Sequence, residues 1–216
     1  MRISIVGQPG AGKSTLAQIL SGIFDVMVIS SGDLARAHGF AGSEAEKKGQ
    51  LDPNEAKIRN LVKKAIGNSN QYILDGFPRT IDQIEKLQLP LPPTVVIYLS
   101  LGKEYGPTIG MDRLLKRGRP DDIEEIIKAR IDTYYTYTHP LVDYFLDKEM
   151  LIYINATGTI AETLRQAVVQ LAARGIIEAS NYIDKLLKEF ENDTYEKRIN
   201  KGPSTESKER GQGSDK

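Results

Sequence analysis

The sequence predicts an α/β protein in which helices cover a parallel sheet, and three observations carry that prediction. Five short apolar runs, Ile3–Val6, Val26–Ile29, Tyr72–Leu74, Val95–Leu99 and Leu151–Ile154, are unmixed rather than alternating, as in strands buried on both faces. Stretches of helical length separate them, giving the β-α alternation of a parallel sheet. A glycine-rich loop directly after the first run leads into the first helix.

That loop, Gly7-Gln8-Pro9-Gly10-Ala11-Gly12-Lys13-Ser14, has the Walker A spacing G-x-x-x-x-G-K-S in the strand-to-helix context that the motif requires. Its glycines let successive backbone N–H groups turn toward one anion, and the helix N-terminus adds positive potential. Lys13 reaches the β and γ phosphates of a nucleoside triphosphate, and Ser14 offers an oxygen to Mg²⁺. The helix itself follows from Leu16, Ile19 and Leu20, spaced three and four apart.

After the second run, Gly39 to Gly49 is rich in Gly, Ser, Glu and Lys and reads as a small mobile insertion. A helix after Pro53 carries Ile58, Leu61, Val62 and Ala65 on one face. The third run closes on Asp75, an acid at a strand end suited to holding the water shell of Mg²⁺; before Gly76 it also reads as an ordinary turn residue. Asp121, Asp122, Glu124 and Glu125 put acid at the start of a long helix with Ile126, Ile127 and Ile131, and Pro140 is expected to kink or interrupt it. Tyr134, Tyr135, Tyr137 and His139 read as helix packing and surface.

Composition bounds the function. Lysine plus arginine equals aspartate plus glutamate, 29 each, so no overall field draws the chain to nucleic acid or to an anionic membrane. There is no cysteine, and His38 and His139 are too few for a zinc site. No run approaches a membrane span, and the expectation is a cytoplasmic protein in a reducing setting. Beyond Gly175, positions 176–191 have the spacing of an amphipathic helix, which either folds back on its own core or forms a subunit contact that makes the chain a homo-oligomer. Positions 192–216 are polar and charged, as in a disordered tail.

Four further segments make residues 1–175 resemble the adenylate kinase family within the nucleoside monophosphate kinases. They are Ile29-Ser30-Ser31-Gly32-Asp33-Leu34-Ala35-Arg36, Asp75-Gly76-Phe77-Pro78-Arg79-Thr80, Asp112-Arg113-Leu114-Leu115-Lys116-Arg117, and Arg119-Pro120-Asp121-Asp122 leading to Arg130. The resemblance implies a five-stranded parallel P-loop sheet, a monophosphate-binding insertion over 31–60 and a lid, here reduced to 117–120.

It also implies residue roles. Gly10, Ala11, Gly12, Lys13, Ser14 and Thr15 hold the triphosphate, Arg113 stacks on its base, and Gly158 borders that base. Ser31, Gly32, Arg36, Gln50, Leu51, Asp52, Gly76, Phe77, Arg79 and Gln83 line the monophosphate site. The amide of Gln83 suits the paired N6 and N1 edge of adenine. Lys13, Arg79, Arg117, Arg119 and Arg130 surround the transferring phosphoryl group, with Arg119 and Arg130 also touching substrate and Asp121 and Asp122 orienting the arginines. Ser14 ligates Mg²⁺, and Asp75 acts through water. The implied activity is transfer from ATP, or another triphosphate, to AMP, and the implied partners are nucleotides alone. A UMP/CMP kinase and a non-catalytic adenine-nucleotide-binding module are the alternatives.

Two departures matter. Gly118 alone separates Arg117 from Arg119, which excludes a zinc-binding lid and implies loose selection among donor bases. Ser31 stands where AMP-directed enzymes usually have threonine, while Gln83 argues for adenine.

Overall fold

The computed structural model describes residues 1–40, 48, 50 and 53–178. Among them are β1 (Arg2–Gly7), α1 (Lys13–Phe24), β2 (Val28–Ser30), α2 (Ser31–Ala37), α3 (Glu55–Ile66), β3 (Tyr72–Asp75) and α4 (Ile81–Leu87). The chain continues through β4 (Val95–Ser100), α5 (Gly106–Arg117), α6 (Glu124–Thr133), α7 (Leu141–Asp147), β5 (Leu151–Asn155) and α8 (Ile160–Ala173). Leu51, Asp52, nearly all of the Gly39–Gly49 insertion, most of the 176–191 segment and the 192–216 tail lie outside the described residues.

All strand pairings are parallel, in the order β2-β3-β1-β4-β5. From β1 the chain crosses to the edge strand β2, returns to β3 beside β1, and then passes to β4 and β5 on the other side, and the carboxyl edge where this direction changes is where α/β folds bind ligands. Register brings the same edge to one level: Ile5 pairs with Asp75, Ser30 with Asp75, and Gly7 with Leu99. The phosphate loop, the start of α2 and the Asp75-Gly76 turn thus leave the sheet side by side.

Burial on both faces explains the unmixed apolar runs. On one face Tyr72 and Leu74 of β3 pack with Ile29, Phe77, Leu87 and the α3 residues Ile58, Val62 and Ile66. On the same side Val96 and Tyr98 meet Tyr134, Leu141 and Phe145. Strand alternation turns Ile3, Ile5, Ile73, Ile97 and Leu99, all fully buried, to the opposite face. There α1 contributes Leu16, Ala17, Ile19 and Leu20, and α8 contributes Leu164, Ala167, Val168 and Leu171. Helix α8 opens on a capping box, in which Thr159 accepts from the Glu162 backbone and Glu162 accepts from the Thr159 backbone.

The long helix expected after Asp121 is divided, and not by proline alone. Helix α6 ends at Thr133, and a π-helical turn over Tyr134–Thr138 follows, in which the His139 N–H reaches the Tyr134 carbonyl at 2.8 Å. Pro140 then caps α7, where its missing N–H costs nothing. The extra residue in the turn rotates Tyr134 inward, and its hydroxyl lies 2.5 Å from that of Tyr98. Asp121 and Asp122 also differ from expectation, because they precede the helix, whose first-turn acids are Glu124 and Glu125. Their carboxylates serve arginines instead.

Backbone meets backbone where α5 crosses the phosphate loop. A Cβ on Gly10 would sit 2.5 Å from the Gly110 carbonyl, and a Cβ on Gly110 would sit 2.4 Å from the Pro9 carbonyl. Alanine in place of a helical glycine ordinarily stabilises by about 1 kcal/mol. At Gly110 the sign should invert: Gly110→Ala should lose about 1–3 kcal/mol through overpacking, read as a lowered melting temperature.

Candidate active site

Lys13 opens α1 directly after Gly12, whose φ of 87° places it in the left-handed region. A Cβ on Gly12 would meet nothing within 4 Å, so here glycine serves backbone conformation and leaves the mouth of the loop open. The Lys13 ammonium donates to the carbonyls of Gly7, at 2.9 Å, and Gln8, at 2.7 Å. Its desolvation, offset by Asp75 and reinforced by the Arg79 and Arg117 charges, lowers its pKa from 10.5 to about 8. Ala11 is buried, while Ser14 and Thr15 are half-buried in the first turn of α1.

The Ser14 hydroxyl donates to Asp75 Oδ2 at 2.6 Å. Two hard oxygen groups from different elements are thereby set together beside the loop, which fits Mg²⁺. That ion takes one or two protein oxygens and fills its octahedron with water and phosphate. No group of three acidic, histidine or cysteine residues fit to hold a metal occurs among the described residues.

Among the residues expected to line an acceptor site, Ser31 is buried and its hydroxyl donates to the Gly76 carbonyl at 2.8 Å. Arg36 pairs with Asp33 and stands beside Gly32. Arg79 reaches back through Nε to the Gly76 carbonyl at 3.1 Å while its backbone N–H donates to Gln83 Oε1 at 2.6 Å. Gln83 is buried, and its Nε2 donates to Glu55 Oε1 at 2.8 Å. Gln50 is exposed. The side chain of Phe77, expected in the acceptor lining, is fully buried in the core with Ile29, Tyr72 and Leu87.

Arg113, expected beside the donor base, is held by three carbonyls, those of Ala156 at 2.8 Å, Thr157 at 3.1 Å and Gly158 at 3.2 Å. Fixing the guanidinium by its edge leaves its faces to stack. Gly158 thus borders Arg113, and a Cβ there would collide with Glu162.

Two carboxylates order three further arginines. Asp122 receives Arg117 through both oxygens, at 2.8 and 2.7 Å, together with the Arg119 backbone N–H at 3.2 Å. Arg130 reaches Asp121 at 2.7 Å and Asp122 at 3.4 Å. Arg36 lies 3.9 Å from the same Asp121 oxygen, which links an acceptor-side arginine to this network. The guanidinium of Arg119 has no hydrogen-bond or ion-pair partner among the described residues, and its desolvation together with Arg117 and Arg36 lowers its pKa. Asp121 Oδ1 is the one buried side-chain polar atom without a partner among those residues.

Two groups escaped sequence reasoning. Gln8 is buried in the phosphate loop, where its Nε2 donates to the Gly102 carbonyl at 2.9 Å and to the Tyr135 hydroxyl at 2.7 Å. Its Oε1 accepts from the Leu101 N–H at 2.5 Å. The loop is thereby tied to the end of β4 and to the π-turn after α6. Glu55, behind Gln83, is the second. Only the tertiary fold brings these partners together, and no local pattern marks them.

Desolvation alone would raise the pKa of Asp121 and Asp122, but Arg130 and Arg117 hold both below the ordinary carboxylate value. A depressed carboxylate stabilises the fold above its unfolded pKa and loses that contribution as pH falls through the folded value. Asp122→Asn should therefore be less stable than the parent at neutral pH, and the gap should narrow on acidification toward about pH 3. Thermal melting across that range measures it; a constant gap would mean that the charge is not what stabilises.

The family model for adenylate kinase matches residues 5–150. Adenylate kinase isoenzyme 1 of Gallus gallus is 33% identical over 199 residues, covering 85% of this chain and 94% of that protein. Adenylate kinase of Prochlorococcus marinus is 37% identical over 180 residues, covering 74% and 94% respectively. That of Corynebacterium urealyticum is 35% identical over 173 residues, covering 75% and 94%. With a matching model spanning more than half of its length, and relatives matched over nearly their whole lengths, the chain belongs to the adenylate kinase family.

Proposed function

We infer that this chain is an adenylate kinase: it transfers the γ-phosphoryl group of a nucleoside triphosphate reversibly to AMP and releases two diphosphates. The observation that carries the reading is the meeting of cations from four segments around the phosphate loop. Arg79 and Arg117 both perturb Lys13, while Arg36 and Arg130 share Asp121. Two facing phosphate chains demand such a set, whereas a module that only bound one nucleotide has no use for the arginines of both sides.

The attacking atom is an oxygen of the AMP phosphate, already anionic, so no general base is required. Its bond to the γ phosphorus forms as the bond from that phosphorus to the β–γ bridging oxygen breaks, and the electron pair leaves with the donor diphosphate. Catalysis is in-line placement together with neutralisation of charge on the transferring oxygens. In this reading Arg36 and Arg79 hold the acceptor phosphate. Lys13, Arg117, Arg119 and Arg130 surround the transferring group, and Gly10 to Thr15 cradle the donor phosphates. Ser14 and, through water, Asp75 would hold Mg²⁺, which supplies further charge neutralisation when bound.

Arg113 and Gly158 border the donor base without enclosing it, which supports use of GTP, CTP or UTP beside ATP. The cysteine-free composition suits the reducing cytoplasm. The amphipathic spacing of the sequence over 176–191 supports a homo-oligomeric contact. No helix among the described residues is long and apolar enough to cross a membrane.

A coupled assay pairing each of four triphosphates with AMP, CMP or UMP tests the reading. AMP should be the preferred acceptor, with comparable rates from all four donors. Arg79→Ala should lose about a hundredfold in kcat/KM for AMP, as one charge-assisted contact would, while melting as the parent does. Near-normal turnover in that variant would remove the conclusion, and a preference for CMP or UMP would transfer it to the pyrimidine kinases.

Lys13 gives an independent check. Because its pKa is about 8 without ligand, a bound triphosphate should restore its charge. At pH about 9, donor binding should therefore take up close to one proton, seen by calorimetry in buffers of different ionisation heat. Lys13→Met should abolish the uptake.

A further inference from the structure

We propose that Glu55 is a positioning residue that fixes the Gln83 amide in the one orientation able to read adenine; this rests on AMP as the acceptor. Four groups form a closed chain of hydrogen bonds. The Gln83 backbone N–H donates to Thr80 Oγ1 at 3.1 Å, and the Thr80 hydroxyl donates to Glu55 Oε1 at 3.2 Å. The same Glu55 oxygen accepts from Gln83 Nε2 at 2.8 Å, and Gln83 Oε1 accepts from the Arg79 N–H at 2.6 Å.

The direction of every bond is forced. A backbone N–H can only donate and a carboxylate can only accept, so a flipped amide would set donor against donor at Arg79 and oxygen against oxygen at Glu55. An amide has two hydrogens and two oxygen lone pairs. These contacts commit one of each, leaving one donor and one acceptor. That remaining pair matches N1 and the N6 amino group of adenine. A 6-oxopurine shows the inverse pattern, an N1–H donor and an O6 acceptor, and needs the flipped amide. Because Gln83 is buried, a mismatched pair there would lack water to satisfy it.

Glu55 stands at the first position of α3, and Thr80 caps α4, so the chain of bonds also joins two helices. A purely structural Glu55 would affect stability and all acceptors alike. Orientation of the amide affects the choice between them. Arg79 remains to hold one side of the amide when Glu55 is replaced, so discrimination should weaken rather than vanish.

The test compares kcat/KM for AMP and for IMP at saturating ATP in the parent, Glu55→Ala and Glu55→Gln, with melting temperatures alongside. Glu55→Leu, which refills the volume without an acceptor, stands in if the alanine variant does not fold. The expected result is a fall of roughly tenfold in the AMP-over-IMP ratio for the variant lacking the acceptor, carried by the KM for AMP, with most of the ratio restored in Glu55→Gln. An unchanged ratio in a folded variant without the acceptor, or equal losses toward both nucleotides, overturns the proposal. Failure of the parent itself to use AMP would instead overturn the reading of the acceptor.

Discussion

The close approach of the phosphate loop to α5 and β4 is the constraint on which the rest of the site depends. A side chain at Gly7 would meet the Leu99 carbonyl at 2.2 Å, and those at Gly10 and Gly110 would collide with each other's segments. With side chains removed from the contact, backbone distances rather than rotamers set the separation of the loop from α5. That helix carries Arg113 and Arg117, so the same contact sets where these two arginines stand relative to the loop. Gln8 extends this frame from inside the loop to the π-turn that follows Arg130.

Electrostatics works against such a site. Cations gathered in one site repel one another, and Asp121 and Asp122 hold Arg36, Arg117 and Arg130 together. Asp122 is spent on both Arg117 and the Arg119 backbone, which holds the turn while the Arg119 guanidinium remains available. The pKa of Lys13 is lowered first by burial, and the Arg79 and Arg117 charges add the same repulsion to it.

Much of this was legible in the sequence because phosphate chemistry demands certain residue types at fixed local spacing. The loop from Gly7 to Ser14, the Asp75–Arg79 turn and the arginines from Arg113 to Arg130 are short-range patterns. The strands were legible because burial on both faces leaves an unmixed apolar run. What could not be read depends on contacts between distant positions. Gln8 finds Tyr135 across 127 residues, and Gln83 finds Glu55 across 28. The π-turn follows from no residue type in Tyr134–Thr138; a proline at 140 announces an interruption but not its form.

The single residue between Arg117 and Arg119 reaches beyond shape. Gly118 adopts the left-handed conformation that ends α5, and Asp122 grips the chain on both sides of it. On the proposed reading the donor side would therefore have no flap at this point to swing shut over ATP or open to release its diphosphate. Departure would then depend on contact strength, and every added contact that tightens donor binding would lengthen the dwell of the product. Such an enzyme would have a ceiling on useful donor affinity, which would favour a grip concentrated on phosphates, whose number changes in the reaction, over a grip on the base, which does not.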